Sequence, residues 1–457
     1  MLRSAVTLVL ASTFGCSGPA TAQRTVVVAP PPTTTAWVGG APVQTQIQVG
    51  SDGQTYVGIW IDAPSAAAAV ARAPLALSLV VDTSGSMAGE KIENARLAVA
   101  SLVEALADGD IVSLHAFSTG VVELVPPTVV GPHTRATLLA AAQGLYAVGS
   151  TNMYGGLQAG MQRLTATPPS HAIRRLVLVS DGLANVGPSD PASFAMLGAQ
   201  GTEWGIQITA IGVGLDYSEA TLGALARASS GRLHHLTHPS QMAAILQQEV
   251  ALLAQAVAID GVIEIVPAPG VRFLEMLQGG GTIHGGRIRV PVGVLHAGQQ
   301  RELLARVQLD ASRVGRRPLA EVRWTYREPG SAPVPREQRV ALDYEVSPGP
   351  VASRAGRVAR VDAMVASFEA ARAQLRAAEL LNQGRASDAA HVLASAESAL
   401  RARISQSAAP SPIRARLEAQ ARRMRSLATG AATAHSAPAA REAALESYDA
   451  AHEAMGY

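Results

Sequence analysis

An α/β protein with a doubly wound sheet, a β-sandwich and a C-terminal helical bundle is predicted by three changes of pattern along the 457-residue chain. Between residues 74 and 255, short apolar runs rich in β-branched residues alternate with amphipathic stretches. That is the pattern of a parallel sheet with helices on both faces. Between residues 256 and 347 the apolar residues recur at every second position, with Pro-Gly turns at 269–270 and 329–330. Such a segment reads as a sandwich of antiparallel strands. From residue 350 to 457, Ala, Arg, Leu and Glu dominate at helical spacing, broken at 382–384, 409–412 and 436–438. About four helices in a small antiparallel bundle follow from those breaks.

Residues 1–22 read as an export signal: Arg3 supplies a positive start, and residues 5–14 form an apolar run too short to span a bilayer. Two processing readings compete. Ala20-Thr21-Ala22 is a small-x-small peptidase site, whereas Gly15-Cys16 matches the end of a bacterial lipoprotein signal with Cys16 as the lipidated residue. The lipoprotein reading is preferred, although Thr13-Phe14 is a poor match to the Leu-Ala usual at that point. Both imply export, to the periplasm or the outer membrane and cell surface, with any membrane contact made only through the N-terminal lipid. Cys16 is the only cysteine, so disulfides contribute nothing. Residues 23–43 read as a Pro/Thr-rich linker. Residues 44–64 read as a β-hairpin around Gly50-Ser51-Asp52-Gly53. A lone hairpin is unstable in water, so it is expected to join the sandwich. Residues 74–255 are then an insertion.

The balance of 37 Lys and Arg against 35 Asp and Glu, a net +2, is too even to imply nucleic-acid binding, which would show as a concentrated basic stripe. Lys91 is the only lysine in the chain.

The candidate site lies where the first buried strand, residues 75–81, stops in Asp82-Thr83-Ser84-Gly85-Ser86. A helical pattern follows. In an open α/β sheet, ligands bind in the crevice beyond the carboxyl ends of the strands. One carboxylate and two hydroxyls at alternate positions can face one point, and oxygen-only donors suit Mg²⁺, Mn²⁺ or Ca²⁺. The plainer reading is an Asp/Ser cap on the next helix. Two further segments favour the cation: Gly149-Ser150-Thr151-Asn152 precedes a helix, and the strand 176–180 ends in Asp181-Gly182.

The set Asp82, Ser84, Ser86, Thr151 and Asp181 resembles the von Willebrand factor type A domain with a complete metal-ion-dependent adhesion site. The family pattern is D-x-S-x-S, a Thr in a Gly-rich loop, and an Asp in an SDG or TDG turn. The resemblance spans residues 75–255 and implies a Rossmann-like domain. It also implies a divalent cation, Mg²⁺ foremost, held directly by the three hydroxyls and through waters by Asp82 and Asp181. The partner it implies is a protein presenting an Asp or Glu carboxylate.

Two carboxylates with three neutral hydroxyls place no anion in excess on a divalent cation, which can then take a further anionic oxygen ligand. A metal-dependent binding or adhesion module follows. The alternatives are a structural envelope protein whose metal only stabilises the fold, and a metal-dependent hydrolase. Neither a G-x-S-x-G elbow nor H-E-x-x-H occurs, and His115 is the best candidate base. His234 and His235 face opposite sides of a strand, so with His238 they read as structural. Asp216 and Glu219 read as helix-opening residues rather than calcium ligands. Gly279-Gly280-Gly281 reads as a turn, and residues 379–390 resemble one tetratricopeptide hairpin, too few repeats for a solenoid.

Overall fold

The computed structural model describes residues 36–65, 73–330, 334–351 and 356–456. The expected export signal with Cys16, and the expected linker up to residue 35, lie outside the described residues. β1 (Val38–Pro42), β2 (Gln46–Gln48) and β3 (Gln54–Asp62) come first. The α/β part follows as β4 (Leu75–Asp82), α1 (Glu90–Ala105), β5 (Ile111–Phe117), β6 (Val121–Val129), α2 (Pro132–Gln143), α3 (Met153–Thr165), β7 (Ile173–Ser180), α4 (Pro191–Glu203), β8 (Ile206–Val213), α5 (Glu219–Ala228), β9 (Leu233–Leu236) and α6 (Met242–Leu253).

The α/β strands form one sheet in the order β6-β5-β4-β7-β8-β9, parallel except for the β5–β6 edge pair. β4 is buried along its whole length because it is apolar on both faces. Leu75, Leu77, Leu79 and Val81 pack under α1 and α6, and Ala76 and Val80 pack under α3. The chain runs outward from β4 to β5 on one side and returns as β7 on the other. The crevice of this switch point therefore lies at the ends of β4 and β7.

The remaining strands are β10 (Ala256–Pro267), β11 (Arg272–Gln278), β12 (Thr282–His284), β13 (Arg287–His296), β14 (Gln300–Gln308), β15 (Gly315–Arg327) and β16 (Arg336–Ser347). They build two sheets, β1-β3-β14-β11 and β12-β13-β10-β15-β16-β2. Val57, Ile59, Leu303 and Val307 of one sheet meet Ile263, Val322, Trp324 and Leu342 of the other in a common core.

The expected hairpin at 44–64 is corrected here. β3 pairs with β14 from Gln54↔Gln308 to Asp62↔Gln300, but β2 runs parallel to β16 in the opposite sheet. The turn between them crosses the sandwich: Gly50 N–H donates to Ala311 O at 3.0 Å, and Leu309 N–H donates to Gly53 O at 2.8 Å. Both glycines have positive φ, which lets the chain make that corner. β1, inside the expected linker, pairs with β3 from Val38↔Ile61 to Pro42↔Val57. The chain leaves the sandwich and returns to it at one turn. Ala63 N–H donates to Gln299 O at 2.9 Å, and Ala297 N–H donates to Gln255 O at 2.9 Å.

α7 (Ala359–Asn382), α8 (Ala386–Gln406), α9 (Ser411–Thr433) and α10 (Ala437–Ala454) form the bundle around Leu381, Leu393, Leu417, Met424 and Ala444. Two of its helices are docked on the other parts. Val361, Met364 and Phe368 of α7 cover Leu304 of the sandwich. Gly58 permits this approach, since a Cβ there would lie 2.9 Å from Met364 Sδ. Arg360 grips Asp62 through two hydrogen bonds of 2.7 Å. On α10, Arg441 donates to both oxygens of Glu219 at 2.8 and 2.7 Å and to Tyr217 O at 2.7 Å.

The α10 contact titrates. His452 is buried, and its Nε2 accepts from Arg227 Nη1 at 3.0 Å. Burial first, then the Arg227 charge, lowers its pKa to about 3. Burial first also lowers His296, to about 4, and nearby Arg175 and Arg232 add to the effect. A depressed folded pKa stabilises the fold above the unfolded value of about 6.5, and this contribution is lost as pH falls towards the folded value. Stability should therefore decline between pH 6.5 and 4, each histidine costing up to about 1.4 kcal/mol per pH unit. His452→Gln, which can still accept from Arg227, should flatten this limb in urea unfolding at pH 7, 6, 5 and 4. An unchanged slope would refute the assignment.

Candidate metal centre

Asp82 closes β4 with its side chain fully buried. Its Oδ1 accepts Ser84 N–H at 2.8 Å, and its Oδ2 accepts the Ser180 hydroxyl at 2.5 Å. Ser84 Oγ lies 3.0 Å from Ser86 Oγ, and Ser86 Oγ donates to Asp181 Oδ1 at 2.8 Å. The second oxygen of Asp181 holds the ammonium of Lys91, from the first turn of α1. Asp82, Ser84, Ser86 and Asp181 are thus one hydrogen-bonded group across the ends of β4 and β7. Ser86 opens it to solvent while both carboxylates are enclosed.

The loop that carries Thr151 is held against the group by its neighbours. Gly85 N–H donates to Gly149 O at 3.0 Å, and Val148 N–H donates to Thr83 O at 2.7 Å, laying the Thr151 loop against the Ser84 loop. Gly149 makes the bend at φ 78°. Thr151 N–H donates to Asn185 Oδ1 at 2.7 Å, and its carbonyl accepts Asn185 and Val186 N–H at 3.1 and 3.3 Å. The loop after Asp181 is therefore fastened to Thr151. Asn152 caps α3 by accepting Gly155 N–H at 3.1 Å.

Burial raises the pKa of Asp82; hydrogen bonds from Ser180 and Ser84 oppose this, and the Asp181 charge adds to it. A nearby cation would reverse that balance, because an opposite charge favours the ionised form. Among the described residues, no three His, Cys, Asp or Glu side chains converge as a metal cluster. A cation here would rest on hydroxyl oxygens, with the two carboxylates supplying charge behind them. That donor set fits a hard, well-hydrated ion.

Sequence reasoning missed three residues. Ser180 orients Asp82, Asn185 holds Thr151, and Lys91 neutralises Asp181. Ser180 stood directly before Asp181, and Lys91 was conspicuous as the lone lysine; nothing marked Asn185. His115, the candidate base, is buried in β5 away from the group. Its Nδ1 lies 3.4 Å from Ser78 Oγ, and its Nε2 3.8 Å from Glu123 Oε1. His234 faces Glu249 at 3.2 Å and His235 faces the Tyr217 hydroxyl at 3.0 Å, on opposite sides of β9. Glu219 opens α5 and holds Arg441.

Residues 77–183 match the sequence profile of the von Willebrand factor type A domain. The chain is 30% identical over 186 residues to the protein YfbK of Escherichia coli (strain K12), covering 40% of this chain and 32% of YfbK. It thus spans about a third of that relative. A von Willebrand factor type A structure from Catenulispora acidiphila superposes with a TM-score of 0.67 at 16% identity, over 86% of this chain and 90% of that one. The ArnB paralog VWA2 from Sulfolobus acidocaldarius gives 0.61 at 16% identity, over 92% and 98%. Both likenesses extend well beyond the α/β part and concern the fold alone. Residues 77–183 thus match the von Willebrand factor type A domain, and the chain shares the fold of these two structures.

Proposed function

We propose that this protein is a metal-dependent protein-binding module of the cell envelope. In this reading Ser84, Ser86 and Thr151 hold a divalent cation through their hydroxyls, and Asp82 and Asp181 act on it through bound waters. Mg²⁺ suits such a site best because it keeps several waters; Mn²⁺ or Ca²⁺ could replace it. The observation that carries the reading is the hydrogen-bonded group Asp82–Ser84–Ser86–Asp181 at the switch point of the sheet. Both oxygens of each carboxylate already accept protein donors. They therefore supply charge without crowding the ion, and a position remains for an Asp or Glu carboxylate of a partner protein.

The surroundings favour a protein partner. Tyr146, Val148 and Leu183 are exposed on the loops flanking the group. Beside it, Met153, Gly182, Leu183 and Leu222 line a cavity of about 170 Å³. Exposed apolar side chains gathered beside a polar group are surface that a protein partner can bury. A binding role also fits the placement of His115, which is enclosed in the sheet and has no access to a reacting group at the site. The export signal and Cys16 would place the module outside the cytoplasm, lipid-anchored if Cys16 is acylated.

The test is capture of envelope proteins by the purified chain in Mg²⁺ or in chelator. Capture is expected in Mg²⁺ alone, to be lost in Ser86→Ala and retained in His115→Ala. Capture that survives chelator and Ser86→Ala would place the binding surface elsewhere.

A further inference from the structure

Lys91 stands out twice: it is the only lysine in the chain, and its ammonium sits on Asp181 Oδ2. The Asp181 side chain is fully enclosed, and that of Lys91 is about one quarter exposed. The other oxygen of Asp181 takes the Ser86 hydroxyl at 2.8 Å. Lys91 reaches the carboxylate from the second position of α1, passing the turn at Gly214, where an added Cβ would lie 3.8 Å from its Cε and Nζ. The stem thus runs past the end of β8 without being enclosed by it. With Lys91 in place, the group of Asp82, Asp181 and Lys91 carries one net negative charge instead of two.

We propose that Lys91 is an intramolecular competitor of the divalent cation, occupying Asp181 when no metal is bound and leaving it when the metal enters. This rests on the metal-centre reading given above. Two cations within a few ångströms of one enclosed carboxylate repel each other, and the cost grows with burial. The ammonium is singly charged and tethered to a flexible stem, so it is the one that yields. In the metal-free protein it offsets the Asp181 charge and keeps the Ser86–Asp181 hydrogen bond formed, so the cradle stays assembled. The same competition lowers the affinity for the cation. The site then half-fills at a higher free cation concentration than a pair of uncompensated carboxylates would.

The lone lysine makes the test specific. Two readouts are compared in the full chain: Mn²⁺ affinity by titration, and acylation of Lys91 by an amine-directed reagent at fixed pH, followed by peptide mass. Lys91→Met, which keeps the length of the stem without charge, is expected to bind Mn²⁺ about tenfold more tightly than wild type, with Lys91→Arg no tighter than wild type. Lys91 in the wild type should be acylated several-fold faster in Mn²⁺ than in chelator. Thermal unfolding of the metal-free variants checks that each is folded. Equal Mn²⁺ affinity in Lys91→Met and wild type, or acylation indifferent to Mn²⁺, overturns the competitor while leaving the metal centre standing. Absence of Mn²⁺ binding in both the wild type and Lys91→Met overturns the metal centre itself and the competitor with it.

Discussion

Asp82→Ala should lower the affinity for Mg²⁺ or Mn²⁺ by about 10- to 100-fold, the range found when groups that orient and polarise metal ligands are removed. Cation-dependent capture of a partner should fall below detection. Asp82 does two jobs. It places a negative charge behind the two serine hydroxyls, and it fixes the Ser84 backbone through a 2.8 Å hydrogen bond. Asp82→Asn separates them, because the amide oxygen can still accept Ser84 N–H while the charge is gone; it should lose most of the affinity as well. The fold should suffer less. The carboxylate is buried with its pKa raised by that burial, so its removal relieves a desolvation cost. Against that, it leaves Ser180 and Ser84 N–H short of an acceptor, worth about 1–3 kcal/mol each. Mn²⁺ titration and urea unfolding of the three proteins measure both effects. Wild-type affinity in Asp82→Asn would show that charge at this position plays no part.

The second large effect lies away from the site. Glu249 of α6 is buried against β8 and β9. Its Oε2 accepts the Thr209 hydroxyl at 2.8 Å, and its Oε1 faces His234 at 3.2 Å and Arg232 at 3.4 Å. Burial works to raise its pKa. The His234 hydrogen bond and the charges of Arg175, His234 and Arg232 outweigh it and hold the carboxyl well below the usual range. Arg175 is itself buried, its Nε lacks a hydrogen-bond partner, and Glu249 is the anion nearest in influence. Arg175 reaches Glu249 through the Thr209 hydroxyl, so Glu249→Ala should cost about 3–5 kcal/mol by stranding the charge of an enclosed guanidinium. Replacing Arg175 by Met as well should restore much of the loss, because an apolar side chain carries no charge to strand. Urea unfolding of the single and double variants decides it. A loss under about 1 kcal/mol for Glu249→Ala would mean that solvent reaches Arg175.

What was legible in the sequence was whatever is written locally. Residues 75–81 are apolar without interruption, and Asp82-x-Ser84-x-Ser86 follows at once, so strand, turn and donors stand in one stretch. Asp181 closes a second such strand. The breaks at 382–384, 409–412 and 436–438 separate the four helices because Gly and Pro interrupt helical spacing. What was illegible depends on distant partners. β1 contains Gly39, Gly40 and Pro42, poor strand residues that are ordered by pairing with β3. β2 and β3 look like a hairpin because both alternate around a Gly-rich turn. Only the unpaired edge of β16, some three hundred residues later, draws β2 into the other sheet. β11, Arg272–Gln278, has no clear alternation and owes its place to β14. The same holds for Lys91 on Asp181 and Glu249 on Thr209 and His234: each contact depends on how helices settle on the sheet, not on spacing along the chain.

Anomalous diffraction from crystals grown with Mn²⁺ tests whether Ser84, Ser86 and Thr151 converge on a divalent cation. One strong Mn²⁺ peak is expected within ligand distance, about 2.0–2.3 Å, of the Ser84 and Ser86 hydroxyls and near that of Thr151. Asp82 and Asp181 should stand behind ordered waters, and Lys91 should be turned away from Asp181. A site without anomalous signal at saturating Mn²⁺, with Lys91 still seated on Asp181, would contradict it.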